Sequence, residues 1–455
     1  MGESLLPACM EILDLLDASE VVAEAGFQRK PGAYMDWKGE QWSLDFGELS
    51  GNFCSSYQVP RAEFDHILLK HSQNQGALVH QGVSVRELLF EGDRPVSAVC
   101  AFASAEAGTA EAEMRIDFDY LIDASGRSGL MSTRYLKNRR FHQSFQNVAI
   151  WGYWSGAMRP EAVSEGAIAV SSIPQGWLWY IPFSDGRTSL GVVIHKDRFQ
   201  ALRKTKSMPE IYADVLQESS LFQEIVARGE LTSELRVEQD YSYQADRFAG
   251  PGYFLAGDSA CFLDPLLSTG VHLAMYSSML AAAGIASLIR GEVTETETAG
   301  WYDESYRGAF LRFMVFISAF YETQSRGKLG FYKQAEEISL FDADPTNLRR
   351  AFLNTVSGME DIASAEQTTA HLMGEMSRRI RENLDLRADK SVLREAREKD
   401  LTKSSAKFFD SIEGLSCLSE CGAVEGFYVR VRPRLGLART VSRQPVFAEP
   451  QLAMA

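Results

Sequence analysis

The sequence has fewer basic than acidic residues and no long apolar run. Its 455 residues include 46 Lys and Arg but 61 Asp and Glu, which gives a net charge of −15. A protein that neutralises phosphates needs a basic face, so this balance argues against a nucleic-acid partner. The longest apolar candidate, residues 313–320, is too short to cross a bilayer, and no secretory leader pattern is present. These absences predict a cytoplasmic protein with no membrane span.

Clustered cysteines are also absent. The six cysteines are scattered along the chain at Cys9, Cys54, Cys100, Cys261, Cys417 and Cys421. The last two are close together, but no second pair or histidine motif completes a metal site beside them. The pattern predicts reduced thiols and no bound metal.

What the sequence does contain is the pattern of an α+β protein. Hydrophobic residues make up 45% of the chain, enough for a large core. Helical and extended patterns alternate at first, strands then dominate around a helical insert, and an apolar strand and helix precede a helical end that frays after residue 446. These changes predict four regions, at residues 1–145, 146–245, 246–298 and 299–455.

The stretch LAGDSACFLDPLLSTGVHLA (residues 255–274) joins an apolar strand to a long helix through polar turns. In the first turn, the Asp258 carboxylate can accept hydrogen bonds from the hydroxyl groups of a ligand. Free backbone N–H groups at the helix start, near Thr269 and Gly270, favour an anion or an electron-rich ring edge. Ordinary strand-to-helix loops use the same Asp, Pro, Ser and Gly residues, so the residues alone leave a ligand site and a plain turn equally open.

Two further segments make this stretch recognisable. YQVPRAEFD (residues 57–65) is similar to the segment that carries an arginine near FAD in FAD-dependent monooxygenase-like enzymes, and YLIDASGRSG (residues 120–129) is similar to their Asp motif close to the cofactor. The stretch that contains Asp258 resembles their second flavin motif, in which the aspartate contacts the ribityl chain. The three segments also follow in the family's order.

The resemblance implies an α+β protein with an FAD-binding, Rossmann-like fold of the monooxygenase type. The first predicted region then becomes an incomplete FAD-binding region, the second a β-sheet substrate region, the third the rest of the FAD-binding region, and the fourth a helical C-terminal region. The implied cofactor-binding residues are Arg61, Asp123, Asp258 and Val271.

The stretch GWLWYIP (residues 176–182) places bulky apolar side chains at alternate positions of a predicted strand. Trp177, Trp179 and Ile181 then point to one face and form a wall. Core packing is the alternative interpretation of such a stripe. The pattern Trp-x-Trp-x-Ile-Pro, completed by Pro182, is the signature of the flavin-dependent halogenases, which GESLLP (residues 2–7) also resembles. In that family the wall keeps the organic substrate away from the flavin, so that chloride meets the activated oxygen instead.

The resemblance implies a chlorination that uses FADH2 from a separate flavin reductase, oxygen and chloride. Chloride would lie against the backbone of Thr269 and Gly270, in agreement with the helix-start pattern. The hypochlorous acid formed there would pass to a lysine beside the substrate. Lys30 and Lys38 both lie where the family carries this lysine, and we predict Lys38 because it follows Trp37 in a context similar to the family's Trp-Gly-Lys. A partly desolvated lysine loses basicity, which suits the delivery of the halogen.

One departure from the family narrows the range of expected substrates. Tryptophan halogenases read Glu-Ser-Thr-Gly where this chain has Leu267-Ser268-Thr269-Gly270, so no carboxylate is present to stabilise charge on an indole. The resemblance therefore implies the phenolic branch, with a phenol or pyrrole substrate, free or bound to a carrier protein, in secondary metabolism such as antibiotic biosynthesis. The alternatives are an FAD-dependent aromatic monooxygenase and an inactive, truncated halogenase-like protein.

The Gly-x-Gly-x-x-Gly turn that cradles the FAD pyrophosphate in this fold is absent from the sequence. GESLLP normally follows that turn by roughly 30 residues or more, about one βαβ unit. Met1 therefore has the context of an internal position. We expect either a misassigned start or a truncated copy, and in the second case impaired FAD binding.

Overall fold

The fold is that of a computed structural model, which describes residues 2–37, 39–48, 55–102, 112–142, 146–239, 242–326, 416–418, 420 and 423–440. Lys38 lies outside the described residues, as do residues 327–415 and the tail from residue 441 in the region predicted to be helical.

Helices and strands are mixed along the described residues, which confirms the α+β class. The α-helices are α1 Pro7–Leu15, α2 Ser19–Glu24, α3 Arg61–Asn74, α4 Lys196–Arg203, α5 Met208–Leu216, α6 Ser220–Val226, α7 Thr269–Ile289 and α8 Glu295–Arg326. The strands are β1 Gln28–Lys30, β2 Gly32–Trp37, β3 Glu40–Asp45, β4 Ser56–Gln58, β5 Val83–Glu91, β6 Arg94–Phe102, β7 Ala112–Asp117, β8 Leu121–Asp123, β9 Arg139–Phe141, β10 Asn147–Ser155, β11 Ile168–Ile173, β12 Gly176–Pro182, β13 Thr188–His195, β14 Glu230–Leu231, β15 Arg236–Gln239, β16 Tyr243–Ala245, β17 Ala249–Gly250, β18 Tyr253–Leu255, β19 Cys261–Phe262, β20 Phe427–Arg430 and β21 Gly436–Arg439.

The largest sheet has eight strands in the order β14-β10-β13-β12-β11-β2-β3, with β15 also paired to β10. Strand β2 runs parallel to β11, and the other pairs in this sheet are antiparallel. Because β2 and β3 precede residue 145 and the other strands follow it, the sheet draws on both sides of that predicted boundary. The division into four regions stays a prediction.

Both faces of the large sheet are covered, so β10, β12 and β13 are buried along almost their whole length. One face is aliphatic and packs against α5 and α6, which form the predicted helical insert. The opposite face carries most of the aromatic residues of the sheet, including Trp151, Trp177 and Trp179. The two sets alternate along each strand because successive side chains point to opposite faces.

A smaller sheet contains a parallel pair, β8 and β18, whose carboxyl ends lie at the same edge. The Ala256 N–H donates to the carbonyl oxygen of Asp123 at 2.9 Å and ties the ends of the two strands together. A 3-10 turn follows each strand, Gly126–Ser128 after β8 and Gly257–Ser259 after β18. Loops at the carboxyl ends of parallel strands are where α/β folds bind ligands.

Helix α7 corrects one expectation from the sequence, namely that no apolar stretch is long enough to span a membrane. An 18-residue window of this 21-residue helix has a mean hydropathy of 1.4, and 56% of that window is buried inside the protein. The expectation failed because single Ser, His and Gly residues interrupt the apolar run without making the helix polar. Its packing against α1 and α8 and its buried residues identify it as a core helix.

The region predicted to be helical also contains a hairpin. Helix α8 agrees with the prediction, but β20 and β21 pair antiparallel near the end of the described chain. The residues of β20, Phe-Tyr-Val-Arg, combine aromatic and β-branched side chains, and their burial alternates. Residues 427–439 within this region therefore form strands, and its extent as a helical C-terminal region stays a prediction.

Candidate functional site

The carboxyl ends of β8 and β18, the start of α7, the aromatic face of the large sheet and residues 2–4 enclose a cavity of about 890 Å³. Eight of the residues singled out from the sequence line it: Arg61, Trp177, Trp179, Ile181, Asp258, Thr269, Gly270 and Val271. Two others, Asp123 and Pro182, are not among its lining residues, and Lys38 lies outside the described residues. Segments that are far apart in sequence therefore meet at one site.

Asp258 stands in the turn after β18, where Gly257 has a φ of +57°. A Cβ on Gly257 would lie 3.0 Å from the Cβ of Ala274, so the turn needs glycine for both conformation and space. Burial raises the pKa of Asp258 to about 6, against the opposing effect of guanidinium groups such as that of Arg127. At neutral pH the carboxyl group is ionised and can accept hydrogen bonds from hydroxyl groups.

Arg61 is the first residue of α3 and is held by Asp65 through two hydrogen bonds, Nε–Oδ1 at 2.9 Å and Nη2–Oδ2 at 3.0 Å. Gly2, with a φ of +81°, lies against it, and a Cβ there would be 2.4 Å from Nη1 of Arg61. The chain from Gly2 onward is fixed by hydrogen bonds to the segment that contains β4, including Val59 N–H to the Glu3 carbonyl at 2.7 Å. The guanidinium group therefore borders the cavity in a set position.

Asp123, which the resemblance implies to be a cofactor-binding residue, forms hydrogen bonds with the loop that follows it. Its side chain is 5% exposed, and its two carboxylate oxygens accept hydrogen bonds from the N–H groups of Ser125 at 2.9 Å and Met131 at 2.7 Å. Ala124 and Gly126 in the loop after it do line the cavity. Asp123 thus shapes the loop that faces the cavity, while direct contact with a cofactor stays a prediction.

The start of α7 is the part of the cavity suited to an anion. Thr269 is 1% exposed, and the first N–H groups of an α-helix have no acceptor within the helix. Asp264, fully buried, holds the turn before it by accepting from Leu266 N–H at 3.0 Å and from Asn147 Nδ2 at 3.0 Å. The Asn147 contact could not be predicted from the sequence because the two residues are 117 positions apart.

The aromatic wall has the geometry that its two-residue period predicts. Trp177, Trp179 and Ile181 lie on one face of β12, are between 1% and 7% exposed, and line the cavity. The ring centroids of Trp177 and Trp179 are 5.8 Å apart, and Trp151 on β10 extends the row at 6.2 Å from Trp179. The stripe therefore both belongs to the core and borders the site.

A buried carboxylate that sequence reasoning missed also lines the cavity. Glu3 is 2% exposed, and its Oε1 accepts a hydrogen bond from the Tyr153 hydroxyl at 2.6 Å. Its Oε2 has no hydrogen-bond partner among the described residues. Burial and the nearby Glu3 carboxylate raise the pKa of Tyr153 to about 12, so the hydroxyl stays a donor. The free oxygen of Glu3 can accept from a ligand that enters the cavity.

Three described cysteines, Cys9, Cys100 and Cys261, are free thiols, and these three and Cys417 are no more than 5% exposed. Burial raises the pKa of Cys9 to about 11 and that of Cys261 well above its ordinary value. Within the residues that the structure describes, no group of three or more His, Cys, Asp or Glu side chains is placed to hold a metal.

The polar and apolar groups that line the cavity fit FAD. Asp258 and the free oxygen of Glu3 supply acceptors for ribityl hydroxyl or ring N–H groups, Arg61 supplies a cation, and the wall supplies apolar contact. The parallel strands that end at this cavity, with the Gly-Asp turn and the helix after it, define a flavin-binding protein of the monooxygenase-like class.

Known proteins place the chain within that class. The family model for tryptophan halogenase matches residues 49–366. The chain is 40% identical to the tryptophan 2-halogenase of Chondromyces crocatus, across 97% of this chain and 87% of that protein. It is 36% identical to the flavin-dependent halogenase armH1 of Armillaria mellea, across 77% of this chain and 68% of that protein. The structure of the myxobacterial chondrochloren halogenase CndH superposes with a TM-score of 0.66 and 31% identity, covering 79% of this chain and 81% of that one.

The chain therefore belongs to the tryptophan halogenase family of flavin-dependent enzymes. It is an FAD-dependent oxidoreductase with a halide as co-substrate. The FAD-binding fold and the family predicted from the sequence are confirmed.

Proposed function

We propose that the protein chlorinates an electron-rich aromatic ring, of the phenol or pyrrole type, in secondary metabolism. The observation that carries this proposal is that the Trp177–Trp179–Ile181 wall and the start of α7 at Thr269 border one cavity. The overall reaction is FADH2 + O2 + Cl⁻ + H⁺ + ArH → FAD + ArCl + 2 H2O, in which hypochlorous acid carries the halogen. A separate flavin reductase supplies FADH2, and the buried free thiols support a cytoplasmic location.

Each part of the cavity has a proposed task. When bound, FAD supplies the electrons that activate oxygen. Asp258 and Arg61 hold the cofactor, and Val271 and the loop shaped by Asp123 pack beside it. The N–H groups of Thr269 and Gly270 bind chloride, because the helix dipole favours an anion there. The wall excludes organic substrates, so that the halide is oxidised first.

The lysine that delivers the halogen is Lys38 or Lys30. Lys38 carries the sequence context that favoured it and lies outside the described residues. Lys30 has the desolvated environment that the task needs, since burial lowers its pKa to about 7. Its Nζ donates to the Leu5 carbonyl at 2.8 Å, on the segment whose residues 2–4 line the cavity.

Lys38→Met and Lys30→Met, each measured in the full chain, decide between the two lysines. We expect the variant at the delivering lysine to lose the halogenated product while it still oxidises FADH2 with oxygen. The other variant should keep most of its halogenation. If both variants halogenate normally, neither lysine has the proposed role.

The proposed substrate rests on Leu267, which occupies the position of the family's glutamate and packs among apolar residues. A phenol loses a proton and a pyrrole donates a lone pair, so either ring activates itself without a carboxylate. Tryptophan is the second candidate, because a relative at 40% identity is named a tryptophan 2-halogenase. Free and carrier-bound forms of each ring are to be compared.

The experiment that tests the function supplies the protein with FAD, a flavin reductase, NADH and oxygen, and analyses the products by mass spectrometry. Phenols, pyrroles and tryptophan are offered with chloride, with bromide and without halide. We expect halogenated phenol or pyrrole only when halide is present. Hydroxylated product independent of halide would instead identify a monooxygenase. No product together with no FAD binding would identify an inactive relative.

A further inference from the structure

We propose that Gly191 and Ser189 on β13 hold the Trp179 indole in position and thereby determine how completely the enzyme converts activated oxygen into halogenated product. The inference rests on the proposed function. Neither residue is among those that line the cavity, so both act through Trp179 and are positioning residues.

Gly191 provides the space that the indole fills. It is the register partner of Trp179 on β12 and of Trp151 on β10, so it lies between the two rings. A Cβ on Gly191 would lie 2.2 Å from Cζ2 of Trp179 and within 2.4 Å of two other ring atoms. Because rigid ring atoms fill this space, an alanine there requires the indole to move.

Ser189 fixes the rotation of the same ring. It lies two residues before Gly191 on the same face of β13 and is fully buried. Its Oγ accepts the hydrogen bond of Trp179 Nε1 at 3.2 Å. An indole N–H has no acceptor capacity, so a ring turned away from Ser189 leaves a buried donor unpaired.

A methyl group on Gly191 pushes the ring away from the sheet. The β13 backbone lies beneath it, and the rings of Trp177 and Trp151 stand on either side, 5.8 and 6.2 Å away. The movement therefore changes the wall where Trp179 borders the cavity. A distorted wall favours the unproductive reaction FADH2 + O2 → FAD + H2O2 over oxidation of the halide.

Gly191→Ala tests the proposal with two readouts. The first is the ¹⁹F NMR spectrum of the full chain labelled with 5-fluorotryptophan, in which the signal of Trp179 among seven tryptophans is assigned by its loss in Trp179→Phe. The second is the ratio of H2O2 to halogenated product per FADH2 oxidised. We expect the Trp179 signal to shift and the ratio to rise several-fold.

Gly152→Ala is the matched control. Gly152 belongs to the same sheet but to its opposite face, where a Cβ would lie 2.6 Å from Cδ1 of Leu231. The added methyl group is the same and also meets a partly buried side chain, although it is the flexible end of a leucine, and the cavity is on the other side of the sheet. We expect Gly152→Ala to leave both the Trp179 signal and the product ratio unchanged, whatever it does to the melting temperature.

Three more variants separate positioning from general damage. In a Trp179→Phe background the clashing atoms are gone, so adding Gly191→Ala should have little further effect on the product ratio. Ser189→Ala should shift the Trp179 signal without any steric clash, and Ser189→Thr should restore it. An unshifted signal in Gly191→Ala, or a full effect of Gly191→Ala without the indole, would overturn the proposal. If the parent protein makes no halogenated product, the proposed function fails while the NMR result still decides the positioning.

Discussion

At the scale of the residue, Lys30 is buried in an environment that destabilises the folded protein. Its side chain is 2% exposed, its Nζ donates to a single carbonyl, and it lies 5.4 Å from the ring centroid of Phe46. Burial lowers its pKa from 10.5 to about 7. The unfolded chain binds the proton more strongly, so the destabilisation is complete below pH 7 and fades as the pH rises towards 10.5. This desolvated environment is the one that the proposed delivery of the halogen needs.

Lys30→Met should therefore stabilise the protein at low pH. Each unit of pKa shift corresponds to about 1.4 kcal/mol. The substitution does not leave the Leu5 carbonyl without a donor, because the Ser56 hydroxyl also donates to it at 2.8 Å. We expect a higher free energy of unfolding at pH 6.5, with the gain shrinking towards pH 10, as measured by urea denaturation. Lys70→Met, at an exposed position, is the control. If Lys30→Met is equally destabilised at both pH values, the lowered pKa of Lys30 is contradicted.

Asp258 gives a prediction about pH and cofactor affinity. Its pKa, which burial raises to about 6, should fall when donors of FAD bind the carboxylate. FAD affinity should then rise as the pH increases towards 6 and level off by pH 7, by about tenfold in total for each unit by which binding lowers the pKa. Flavin fluorescence titrations across this range measure it. Asp258→Asn should bind FAD more weakly at pH 7 and show a flat profile, and an unchanged profile would count against the contact.

At the scale of the element, the start of α7 depends on the turn before it. Asp264 accepts hydrogen bonds from Leu266 N–H and Asn147, and Ser268 next to it has a φ of +59°. Removal of the carboxylate takes a hydrogen-bond acceptor away from two buried donors, at about 1–3 kcal/mol each. Asp264→Ala should lower the melting temperature and raise the KM for chloride in the halogenation assay. Asn147→Ala, which breaks one of the two contacts, should have a smaller effect, and an unchanged KM in Asp264→Ala would separate this turn from halide binding.

At this scale, the sequence could predict features set by neighbouring residues and could not predict contacts between residues far apart in the chain. The wall of Trp177, Trp179 and Ile181 was predictable because a strand's two-residue period fixes side-chain direction locally. The bond between Glu3 and Tyr153 was not, because 150 residues separate its partners and only the fold brings them together. The hairpin of β20 and β21 was missed because its strands have four residues each, too few for an alternating pattern to stand out.

At the scale of the whole molecule, the hairpin closes one side of the cavity, which Val431 and Leu435 line. Two glutamates at the end of α7 and the start of α8 fasten it. Glu292 binds Arg434 at 2.8 Å and Glu297 binds Arg439 at 2.8 Å. Hydrogen bonds from Arg290 and Ser287 lower the pKa of Glu292 to about 2, and those from the Thr294 N–H and Arg439 do the same for Glu297.

Acid should therefore loosen the hairpin. Because both pKa values are depressed from 4.5, the stabilisation is complete above pH 4.5 and is lost as the pH falls from there towards 2. Hydrogen exchange of the peptide that spans residues 423–440, corrected for intrinsic rates, should increase between pH 5 and pH 3 more than that of α5. Glu292→Gln with Glu297→Gln should show the faster exchange already at pH 5. Equal protection at pH 5 and pH 3 would exclude the two carboxylates as the fastening.

The burial of the described cysteines has a consequence for how long each enzyme molecule lasts. Hypochlorous acid oxidises thiolates and thioethers, so an enzyme that makes it is gradually oxidised by its own intermediate. The thiols are buried, and the raised pKa values of Cys9 and Cys261 keep these two protonated, whereas Met275 and Met279 line the cavity itself. We expect methionine sulfoxide at these two positions to accumulate with turnover, counted by peptide mass spectrometry, before any cysteine is modified. The number of rings that one molecule halogenates in its lifetime would then be limited by these two thioethers.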